Sequence, residues 1–224
     1  MFRKTACFLF MSAVGFTLFA LPAARAAMAE FRISYGPAGS PILVEQESRE
    51  KWTATEGGTK YAVTVENGRN VSLRRDFDMV ASGAIEEDAL VLRNPEGEFY
   101  AAVRFAGDKV GLVPEEGDDP WMAGEVTREA EPENAYEKMQ AETGTDDEVE
   151  MERLILVERG GTTRGVVKHY PEVNRLKVRD NSGEVLAQMK GATRLSPVLA
   201  PFVVQDADKA RRNFFMLLLF TLEE

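Results

Sequence analysis

The chain has 224 residues, 44% of them hydrophobic, with 27 Lys and Arg against 37 Asp and Glu for a formal net charge of −10. That length fits one domain of ordinary size whose core is large enough to fold without staples. The excess of acid excludes a nucleic-acid binder, which needs surplus cations to release counterions from phosphates.

Residues 1–26 read as a signal peptide: Arg3 and Lys4 open it, an apolar stretch from Ala6 to Ala24 follows, and small residues surround Ala26 and Ala29, the two candidate cleavage points. Pro22 interrupts the stretch, which argues against a permanent membrane helix. The expectation is an exported protein, periplasmic or secreted, with residues 27–224 forming a single β-rich domain. Cys7, the one cysteine, lies inside the leader, so the mature chain forms no disulfide-linked oligomer, thiolate metal site or cysteine nucleophile.

Short strands cut by turn residues are predicted at 31–35, 42–46, 52–55, 60–66, 71–75, 79–85, 90–94, 98–105 and 110–113. Alternation or β-branched enrichment marks them, as in Tyr61, Val63 and Val65, and glycine-bearing clusters such as Asn67-Gly68 and Asn94 to Gly97 close the turns. Strands at this spacing predict a barrel or a sandwich.

Residues 115–152 break the pattern. They hold 15 acids against Arg128 and Lys138 and few large apolar residues. Such a stretch cannot repay the entropy of ordering, so it reads as an exposed acidic insertion, pinned near Trp121 and Met122, with a helical turn or two at 133–142. Strands resume at 154–157, 165–170, 176–179 and 185–189. Residues 90–104 and 176–190 echo each other at an offset of 86, each a strand, a turn closed by Gly97 or Gly183, and a second strand.

The end of the chain differs. Asp206 and Asp208 stand where a helix start favours acids, and 214–222 is apolar on every side. A helix of that kind must be buried all round. Nine residues at about 1.5 Å each reach about 13 Å, short of a bilayer core of about 30 Å, so burial in the protein is favoured over lipid.

A shell of about a dozen strands around one apolar C-terminal helix resembles the tubby C-terminal-like fold, in particular its LURP-one-related branch. The residues that carry the resemblance are Leu176 to Glu184, the echo at Leu90 to Glu98, and Ala210 to Leu222. It implies a closed antiparallel barrel with one buried hydrophobic C-terminal helix, the alternative being a β-sandwich with that helix packed on one face. Tubby proteins are associated with phosphoinositide binding, but the only dense basic spots, Arg74-Arg75 and Lys209 to Arg212, read as a solvated strand end and a snorkelling helix start.

No catalytic, cofactor-binding or metal-ligating residue is assigned, and no cofactor is expected. His169 is the only histidine and reads as structural, since neither a Gly-x-Ser-x-Gly elbow nor a His-Glu-x-x-His spacing occurs. Acids at 117–119 and 146–152 lack the spacing of a calcium loop. The sequence therefore favours an exported non-enzymatic binding or structural module for an unknown protein or small ligand. The alternatives are a carboxylate-based or metal-assisted hydrolase and a peripheral lipid-binding protein.

Overall fold

The computed structural model describes residues 29–36, 41–129 and 151–223. Its fourteen strands close into one antiparallel barrel, each strand pairing with its neighbours in the chain. They are β1 (Glu30–Tyr35), β2 (Ile42–Ser48), β3 (Lys51–Glu56), β4 (Thr59–Glu66), β5 (Asn70–Arg75), β6 (Asp78–Ala84) and β7 (Ala89–Arg93), then β8 (Phe99–Ala106), β9 (Lys109–Val113), β10 (Trp121–Glu129), β11 (Met151–Arg159), β12 (Thr162–Tyr170), β13 (Arg175–Asp180) and β14 (Val185–Lys190). Closure comes from β1 against β14, in register at Ile33↔Met189, Ser34↔Gln188 and Tyr35↔Ala187. The hairpins form where the sequence supplies positive φ, as at Asn67 and Gly68 (φ 55° and 64°), which turn β4 into β5.

Along every strand apolar residues alternate inward. Ile33, Val44, Val63, Leu73, Leu92, Val103, Leu112, Val157, Val167 and Val178 are all fully buried. Most outward positions are polar, with Arg32, Lys60, Arg74, Arg93 and Arg104 exposed. A membrane-spanning barrel has the opposite arrangement, an apolar outer band around a polar lumen.

Barrel diameter grows with strand number, and about eight strands enclose a space that side chains alone can fill. Fourteen enclose more, and here the chain itself fills the lumen twice. Residues Pro197–Phe202 form a buried 3-10 segment. Pro197 and Pro201 remove donors from any strand ladder, and the Ser196 hydroxyl caps the segment by accepting from Val198 N at 3.2 Å. The chain then turns and re-enters as α1 (Lys209–Leu222), whose Asp208 carboxylate accepts from Arg211 N at 2.8 Å. Every residue from Arg212 to Phe220 is buried, on all faces of the helix. We call the end at which β3 turns into β4 the upper end. α1 starts there, its Lys209 beside Glu56, and runs down to the lower end, where Phe220 meets Trp52.

The expected closed barrel with one C-terminal helix is what the chain forms, and the sandwich alternative falls away. One reading needs correction. The stretch 115–152 does not lie wholly outside the sheet, because Trp121–Glu129 is β10, paired with β9 and with β11 from Met122↔Glu158 to Glu129↔Met151. Its inward side chains include Trp121 and Ala123, each at most 3% exposed. The helical turn expected at 133–142 and the leader at 1–26 lie outside the described residues.

The two echoing stretches are matching hairpins. In β7–β8 the register slips between Leu92 and Arg93; in β13–β14 it slips between Val178 and Arg179, again 86 residues on. The Arg93 Nη1 donates to Gly97 O at 3.0 Å and Arg179 Nη1 to Gly183 O at 2.7 Å. Asn94 and Asp180 each accept from the backbone N four residues later, at 2.8 and 2.9 Å.

Candidate functional site

At the lower end the lumen is not closed by the helix. Three aromatic rings from separate elements stack there: Phe31 of β1 lies 5.4 Å from Phe220 of α1, and Trp52 of β3 lies 4.8 Å from Phe220, with interplanar angles of 20° and 22°. They form one wall of a cavity of about 200 Å³, completed by Leu176, Met189 and Val198 and rimmed by Thr193, Arg194, Ser196 and Glu223. The rings reach the site because Phe31 and Trp52 occupy inward positions and Phe220 sits at the foot of the helix.

The rim is polar and charged. Ser196 donates to the Glu223 carboxylate through a short hydrogen bond. Arg194 Nη2 stands 3.7 Å from Glu223 Oε2 and donates to the Glu223 backbone O at 3.3 Å. Burial pushes the Glu223 pKa above its ordinary value, while the Ser196 hydrogen bond and Arg194 pull the other way. The Trp52 indole Nε1 is buried and has no hydrogen-bond partner among the described residues. Since buried donors are nearly always paired, this one is available to an acceptor.

The histidine singled out from the sequence stands at this end but is not in the cavity lining: His169 Nε2 lies 3.1 Å from Ala192 O, tying β12 to the segment after β14. That contact is structural. Of the acids at 117–119, Asp118 pairs with Arg159 at 3.1 Å; those at 146–150 lie outside the described residues. Among the described residues no group of three or more His, Cys, Asp or Glu is placed to hold a metal ion.

The upper end carries a different cluster, and here the snorkelling reading of the helix start is overturned for Arg212. Its Nη2 donates to Glu56 Oε2 at 2.6 Å, Asn213 Nδ2 donates to the same oxygen at 2.7 Å, and the guanidinium lies 4.4 Å from the Tyr35 ring centroid. Arg212 is only 9% exposed. The pull of the apolar residues after it draws its Cα inside the barrel, so the charge is met by Glu56 instead of by water. This cluster fastens the helix.

Sequence reasoning missed the cavity because its three aromatics stand at 31, 52 and 220, and only barrel closure brings them together. Comparison with family models, with curated proteins and with solved structures returned no match.

Proposed function

We propose that the protein is an exported, non-catalytic binding module whose ligand site is the aromatic cavity at the lower end of the barrel. The observation that carries the reading is the cavity itself: about 200 Å³ beside the Phe31, Trp52 and Phe220 stack, with polar groups on one side. Apolar cavities of about 150 Å³ take up benzene. One ring with a single polar substituent fits that volume, its ring against Trp52 and its polar group toward Ser196 and Glu223.

The competing readings have less support. A carboxylate-based hydrolase needs two converging acids, and among the described residues Glu223 is the one carboxylate in the lining. Lipid docking through the C-terminal segment needs that segment outside the barrel, whereas Phe214 to Phe220 are at most 6% exposed.

Trp52 and Trp121 are the only tryptophans, so Trp121→Phe leaves one reporter in the site. Phenol or benzylamine titrated into that variant is expected to change Trp52 emission saturably and to raise the melting temperature. Ala192→Leu, which fills the cavity from its lining, is expected to abolish both effects in a folded protein. Emission unchanged across a set of single-ring compounds, or a response that survives Ala192→Leu, overturns the proposal. Export is tested separately by mass spectrometry of the protein made with its native leader, with a mature start expected at Ala27 or Glu30.

A further inference from the structure

The outer face of β12, β13 and β14 has a charge opposite to that of the molecule. Because Leu176 and Val178 point into the core, the outward positions of β13 are Arg175, Lys177 and Arg179, a cation at each. Lys168 of β12 stands directly opposite Lys177, and Lys190 of β14 directly opposite Arg175. The outward positions between them hold Val166, Tyr170, Leu186 and Gln188, with no carboxylate. Like charges placed opposite each other destabilise a sheet. Local contacts hold these cations in place: Lys177 Nζ lies 4.5 Å from the Tyr170 ring centroid, and Arg175 Nη1 donates to Gln188 at 3.5 Å. Arg175 Nε is also buried without a hydrogen-bond partner among the described residues.

We propose that this face is the docking site of the chain's own acidic segment, residues 130–150. That segment carries eight carboxylates against Lys138 alone. It departs from Glu129 and returns at Met151, which are paired neighbours at the lower end of β10 and β11. β11 adjoins β12, and strands lie about 4.8 Å apart, so the β13 cations are about 10 Å from the point of return. Twenty-one residues that must leave and return at neighbouring points have a reach of about 30 Å at about 3.3 Å per residue, enough to span the face. Tethering gives an effective concentration in the millimolar range, so the segment outcompetes a free acidic peptide of equal intrinsic affinity. An external polyanion gains the face only by displacing it.

The test uses the full chain. Carbodiimide cross-linking at low salt, with peptides read by mass spectrometry, is expected to join Lys168, Lys177 or Lys190 to carboxylates of 130–150. The links should disappear at about 0.5 M salt, where screening shortens to less than about 5 Å. Changing the eight carboxylates to their amides should convert a chain that passes through a heparin column into one that is retained, and adding Lys168→Gln and Lys177→Gln should reverse the retention. Cross-links absent from these lysines, or equal retention with and without the eight carboxylates, overturns the proposal. Links found only between labelled and unlabelled copies in a mixture also overturn it, because the occupant is then a second molecule.

Discussion

Burial raises the pKa of Glu223 above its ordinary 4.5, whereas hydrogen bonds from Lys51 and Lys60 lower that of Glu47. The two carboxylates therefore act on stability with opposite signs. Below about pH 4.5 Glu223 is protonated in both states and costs nothing; as pH rises through its raised folded pKa the unfolded state gains. Glu47 contributes stability above the unfolded value and loses it as pH falls through its lowered folded pKa. In urea unfolding, Glu223→Gln is expected to gain on the parent chain between pH 4 and pH 7, and the deficit of Glu47→Gln to shrink toward pH 3. A pH-independent difference for both would contradict the assignment. Glu56 is a harsher case. With Arg212 only 9% exposed, Glu56→Ala leaves a buried cation without its carboxylate, which typically costs about 3–5 kcal/mol. A loss below about 1 kcal/mol would mean that the cluster does not fasten α1.

Elements were legible wherever one face had to be buried and the other wet. Thirteen of the fourteen strands fall within a few residues of their predicted positions, because period-two alternation is the direct imprint of a half-buried sheet. β10 escaped because its acids were counted with those that follow, and only Trp121 and Ala123 keep the alternation before Glu125 takes the next inward position. The 3-10 segment Pro197–Phe202 escaped for another reason: its burial is set by the lumen, which no local pattern announces. α1 was legible since an all-round apolar helix has no solvent face to offer. Leu218, 1% exposed, tests that enclosure. Leu218→Ala should cost about 2–5 kcal/mol in chemical unfolding, as buried leucine truncations do. Leu218→Lys should prevent folding by placing an unpaired charge in the lumen. A soluble, folded monomer from Leu218→Lys would contradict the packing of α1.

Over the whole molecule, the features that the sequence hid are those that strand pairing assembles. The basic face is written as Arg175, Lys177 and Arg179 alternating with Leu176 and Val178, which scans as an amphipathic strand and not as a basic run; Lys168 and Lys190 join it only through register. The acidic excess was plain in the sequence, but its boundary was not, and the boundary decides what can be removed. Replacing 117–148 would delete β10 and with it the buried Trp121, opening the barrel between β9 and β11. Replacing only 130–150 with a short Gly/Ser linker keeps all fourteen strands, and shortening a loop changes closure entropy only slowly. The expected result is a melting temperature within about 10 °C of the parent chain, since about 1 kcal/mol corresponds to about 2–4 °C at this size. If the segment neutralises the face of β12, β13 and β14, the loss should be largest at low salt and shrink at about 0.5 M, where the repulsion between Lys168 and Lys177 is screened. A larger drop that salt does not relieve would show that 130–150 contributes packing to the core, and the boundary at Glu129 and Met151 would then have to move.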